Sequence, residues 1–78
     1  MGIVAEFLRE RRRLCSMKMK EVCAELEARG MGINRKTLYG YENGVSEPRI
    51  TVFLELCDIY GVTDVGEAFR SFQRTSLK

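Results

Sequence analysis

The chain has 78 residues, 45% hydrophobic and 31% charged, a balance that fits one ordinary globular domain and excludes a disordered chain or a second core. The net charge of +2 is too small to argue for nucleic acid by itself, although residues 1–49 hold ten cations against seven acids and residues 50–78 three against four. Histidine is absent, and Cys15, Cys23 and Cys57 form no Cys-x-x-Cys pair, so neither a metal-ligand spacing nor a nucleophile with a base partner is present.

Taken in chain order, the hydrophobic spacing predicts helices throughout. Val4, Phe7, Leu8 and Leu14 mark the inner stripe of a first helix over residues 2–14, with Arg9, Arg11, Arg12 and Arg13 toward its C-terminal end, where cations complement the helix dipole. Met19, Val22, Cys23 and Leu26 give a second helix from Lys18 to Arg29, broken by Gly30-Met31-Gly32. Ser16 and Lys18 are alternative starts for it. Asn34 is a good N-cap for a third helix that ends at Asn43-Gly44. Pro48 suits the first turn of a fourth helix, whose broad apolar face comprises Ile50, Phe53, Leu54, Leu56, Cys57 and Tyr60 and which stops at Gly61. Thr63 caps a short fifth helix with Val65, Ala68, Phe69 and Phe72. With one proline and no alternating β-branched run, the expected fold is all-α, a compact five-helix bundle over residues 1–74 with a frayed tail at 75–78.

The third of these segments carries the chemistry. Leu38 and Tyr41, at i and i+3, are its only apolar anchors, while Arg35, Lys36, Thr37 and Tyr39 on its other face supply side chains suited to phosphates and base edges. Two cations at a helix N-terminus oppose the dipole and ask for an external anion. Two helices joined by a glycine-bearing turn, the second short and polar-faced, make a helix-turn-helix.

On these residues the chain resembles the Cro/C1-type (XRE-like) helix-turn-helix family of phage and bacterial repressors. The resemblance spans residues 8–69 and is strongest at Thr37-Leu38-Tyr39-Gly40-Tyr41-Glu42-Asn43-Gly44 followed by Glu47-Pro48; Leu8-Arg9 with Arg12, and Leu54–Leu56 with Tyr60-Gly61-Val62, match its first and fourth helices. It implies that Arg35, Lys36, Tyr39 and Gly40 face base edges in the major groove. Phosphate contacts are implied for Lys18, Met19, Asn34, Thr37, Asn43 (partly through its backbone N–H) and Arg49, the last reaching the phosphate backbone or the minor groove. Arg12 and Glu42 are implied to form a structural ion pair, since a carboxylate beside phosphates would be repelled. The pattern departs at Lys18-Met19, where the family places Ser or Thr and then Gln. Met19 lacks the amide that Gln offers. The segment Glu27-Ala28-Arg29-Gly30-Met31 exceeds the common length by about five residues, about one further turn of helix, and is expected to bring Arg29 to the rim of the motif.

The function expected is therefore a sequence-specific regulator of transcription that binds double-stranded DNA, a repressor of phage or mobile-element type. It would bind an inverted-repeat operator as a homodimer, through Phe69 and Phe72 or through a C-terminal domain beyond this sequence. Equally open for Phe69 and Phe72 is that they simply close the bundle. An alternative function keeps the fold but binds a protein, as an antitoxin or anti-repressor does, motivated by Met19, the modest charge and the aromatic C-terminal end. No enzyme activity, cofactor or metal is expected, the cysteines read as small core fillers, and no apolar run reaches a membrane-spanning length. A cytoplasmic location follows from unpaired thiols and the lack of a signal segment.

Overall fold

A computed structural model describes residues 2–76 and contains five α-helices: α1 Ile3–Leu14, α2 Met19–Ala28, α3 Arg35–Glu42, α4 Ile50–Ile59 and α5 Val65–Ser76. Among the described residues there is no strand.

The helices share one apolar centre. Phe7 and Leu8 of α1, Val22 and Leu26 of α2, Leu38 of α3, and Leu56 and Cys57 of α4 are essentially sealed from water. Each fully buried side chain of this size stabilises the fold by about 1.5–3 kcal/mol relative to exposure. Phe69 and Phe72 of α5 are half-buried and close the bundle against Phe7, with ring centroids 5.1 and 5.6 Å away in edge-on geometry. Phe53 joins the same cluster, 6.0 Å from Phe7 and 6.3 Å from Phe69.

Several expectations change. Leu14 is 64% exposed rather than part of the inner stripe, because it ends α1. On α4, Ile50 is 67% and Leu54 47% exposed, while Val52 is buried. Leu54 lies two residues from the sealed Leu56, about 200° around the helix, so both cannot face inward. Pro48 lies outside α4, whose N-cap is Arg49. Asp64, not Thr63, caps α5, its Oδ1 accepting the Glu67 N–H at 3.1 Å. That helix is twelve residues long rather than short, and it continues through Thr75 and Ser76, where fraying was expected; residues 77 and 78 lie outside the described region. Of the cysteines only Cys57 is buried, Cys23 is half-buried, and Cys15 is exposed. Burial holds the Cys23 and Cys57 thiols above their ordinary pKa.

The helix ends reuse one device. After α2, the N–H of Met31 donates to the Leu26 carbonyl at 2.8 Å and that of Gly30 to Glu27 at 3.0 Å, with Gly30 at φ +82°, the Schellman pattern that a left-handed residue permits. After α1 the same pattern is built on a serine: Ser16 has φ +55°, and Met17 N–H reaches the Arg12 carbonyl at 3.3 Å. Ser16 therefore neither caps α2 nor begins it. A non-glycine residue in this region is strained, so Ser16→Gly is expected to raise stability by about 0.5–1 kcal/mol once the looser unfolded chain is included. Thermal unfolding followed by circular dichroism checks this, and a lowered midpoint would contradict it.

Candidate nucleic-acid interface

The local sequence explains why α3 forms and where it points. Asn34 is extended and its Oδ1 accepts the Thr37 N–H at 2.8 Å, satisfying one of the unpaired donors of the first turn. Leu38 is fully buried and Tyr41 is 9% exposed, so these two side chains hold the helix against α1 and α2. The opposite side is free: Arg35, Lys36 and Tyr39 are all exposed, Tyr39 at 60%. Three potential readers therefore project from a helix locked by its other side. Thr37 is half-buried, with its backbone N–H committed to the cap.

Glu42 is the one fully buried charged residue among those described. Arg12 meets it with a two-pronged contact, Nε to Oε2 at 2.7 Å and Nη2 to Oε1 at 3.0 Å. The third guanidinium nitrogen, Nη1, donates to the Met17 carbonyl at 2.9 Å. One arginine thus ties the end of α3, the end of α1 and the segment before α2. The hydrogen bonds to Glu42 raise the Arg12 pKa further above its already high value, so the cation is permanent. Tyr60 lies behind this pair, buried, and its hydroxyl has no partner among the described residues. Burial first, and then the nearby Glu42 charge, push the phenol well above its ordinary pKa.

The remaining candidate residues divide. Lys18 and Arg49 are exposed and point no side-chain cap into their helices. At Lys18 the backbone N–H donates to Glu21 Oε1 at 2.7 Å, and no ion pair of its ammonium is present among the described residues. Met19 is half-buried against the core, and a thioether has no N–H or O–H to donate, so it does not suit a phosphate contact. Asn43 is exposed, yet its backbone N–H already donates to the Tyr39 carbonyl at 3.0 Å and its Nδ2 to the same oxygen at 2.8 Å. In this structure that backbone N–H and one side-chain N–H serve the C-cap of α3. Gly40, expected at a base edge, is buried, because Val45 and Ser46 fold back over it.

The longer turn between α2 and α3 also departs from expectation. The helix ends at Ala28, and Arg29 does not reach the rim of the motif. It caps α2 and forms ion pairs with Glu55 and Asp58 of α4, at 3.0 Å to Glu55. Those hydrogen bonds, Asp58 first, raise its pKa. Met31 and Ile33 fill the space below the turn, half-buried against the core. The sequence signal for this arrangement was an arginine just before Gly30, with acids one turn apart on α4, but which surface it met depended on the path of the chain.

A short polar helix seated across a second helix, with its cationic side outward, defines a helix-turn-helix domain. A family model described as a helix-turn-helix domain matches residues 3–69, and the chain belongs to that family, in its Cro/C1-like branch. A domain of this kind is the DNA-binding module of regulators. No curated protein and no solved structure matches the chain. No helix among the described residues is long and apolar enough to cross a membrane.

Proposed function

We propose that the protein is a sequence-specific regulator of transcription, a repressor of phage or mobile-element type, that reads double-stranded DNA with residues 34–43. The observation that carries the reading is the common exposure of Arg35, Lys36 and Tyr39 on a helix anchored by Leu38 and by the buried Arg12–Glu42 pair. Arg35 and Lys36 are the base readers, each able to donate to guanine O6 and N7, and Tyr39 packs beside them. Lys18, Asn34 and Arg49 hold phosphates on the flanks, joined by Asn43 through its remaining side-chain N–H and by the Thr37 hydroxyl.

One helix of eight residues covers only a few base pairs, so the operator is an inverted repeat bound by a homodimer, with half-sites about 34 Å apart. The surface best suited to a second copy lies beside Phe69, where Val4, Pro48, Ile50, Phe53 and Val65 line an open apolar cleft. Ile50, at 67% exposure, is its most accessible member.

Binding should weaken steeply with salt. For the two phosphates neutralised per subunit by Lys18 and Arg49, four per dimer, the slope of log affinity against log salt is expected near −3.6, at roughly 0.9 per phosphate. Fluorescence-anisotropy titrations on a selected operator and on random DNA, from low to physiological salt, measure it. A flat salt response, or equal affinity for both DNAs, would contradict the proposal.

A further inference from the structure

The turn after α3 folds back over that helix at Gly40. Gly40 lies about 200° around the helix from Leu38 at 3.6 residues per turn, and Leu38 is fully sealed in the core. It also stands one turn beyond the exposed Lys36. A side chain at this position would point away from the core, yet Gly40 has none and is buried. A Cβ placed there would come within 3.5 Å of Ser46 Oγ and 3.7 Å of Val45 Cβ. The N–H groups of Val45 and Ser46 both donate to the Gly40 carbonyl, at 3.0 and 3.4 Å, so the turn is fastened to the helix. Val45 is nevertheless 80% exposed. It takes the place on the outer side that residue 40 leaves empty.

We propose that Val45 is a specificity-determining residue that packs against the C5 methyl of a thymine in the major groove, extending the reading surface of Arg35, Lys36 and Tyr39. This rests on the DNA-binding reading above. A branched aliphatic side chain has neither donor nor acceptor, so it can add nothing at a phosphate or at a polar base edge. The apolar group displayed in the major groove is the thymine methyl. An isolated exposed valine on a protein surface is ordinary; this one is held by two backbone hydrogen bonds at the end of the candidate reading helix. Its stiff χ1 also means little side-chain freedom is lost on contact.

The test pairs a protein substitution with deletion of a single methyl from DNA. A binding site is first selected with the wild-type protein, and each thymine of one half-site is then replaced in turn by deoxyuridine. Affinities are measured for wild type and for Val45→Ala, whose fold is checked by its melting curve. One thymine is expected to show about a fourfold loss with wild type, the value of one buried carbon at ~0.8 kcal/mol and 1.4 kcal/mol per tenfold. The same deoxyuridine is expected to cost Val45→Ala nothing. If no thymine responds, or the loss is equal in both proteins, Val45 does not read a methyl, while the DNA-binding function stands. If the wild-type protein selects no site at all, both readings fall together.

Discussion

Glu42→Ala is expected to destabilise the protein by about 3–5 kcal/mol, the cost of leaving one member of a buried ion pair without its partner. The Arg12 side chain is 19% and the Glu42 side chain 2% exposed, so neither head group can fall back fully on water. For a domain of this length the whole stability is roughly 4–12 kcal/mol, so the variant should lose a large share of it and melt at a markedly lower temperature. Arg12→Ala should be at least as severe, because it also removes the donor to the Met17 carbonyl. The double variant Arg12→Met with Glu42→Leu should recover most of the loss, since an apolar pair of similar volume avoids burying charge. Urea unfolding of the three variants by circular dichroism decides the matter. A loss below about 1 kcal/mol for Glu42→Ala would mean that the pair behaves as a surface contact.

Arg35→Ala is the second large effect, and it falls on recognition rather than folding. Arg35 is exposed, and no ion pair involving it is present among the described residues, so its removal should leave the melting temperature nearly unchanged. A two-pronged arginine–guanine contact gives about 1–3 kcal/mol of discrimination. The variant should therefore bind the cognate site roughly 5- to 150-fold more weakly, at 1.4 kcal/mol per tenfold. Binding to random DNA should fall much less, since there only a charge is lost. Parallel titrations on the two DNAs separate the roles. An unchanged ratio between them would demote Arg35 to a phosphate contact.

The parts of this structure legible from sequence are those where one physical signal dominates. Asn34 before two cations and Asn43-Gly44 after them bracket α3 because capping and helix termination are local chemistry. The faces of α2 and α3 were legible because their few apolar residues leave one way to turn. On α4 this fails. Ile50, Val52, Phe53, Leu54, Leu56, Cys57 and Ile59 surround the helix, so periodicity does not choose a side, and the packing of α1 and α2 selects Val52, Leu56 and Cys57. Distant contacts were hidden for a related reason. Arg29 looked like a groove-rim cation until α4 brought Glu55 and Asp58 beneath it. Gly40 is buried and Val45 exposed because the path of a turn, not the residue type, decides which of them meets solvent. The pairing of Arg12 with Glu42 came from the family pattern rather than from spacing, since 30 residues separate them.

In the proposed complex the outer side of α3 enters the major groove. Methylation interference on a selected binding site tests it most directly, because methyl groups at guanine N7 block the major groove and those at adenine N3 the minor groove. Strong interference is expected at one or two guanine N7 positions in each half-site with wild-type protein, with loss of at least one of them in Arg35→Ala. Interference confined to adenine N3, or a guanine pattern identical in the two proteins, would contradict it.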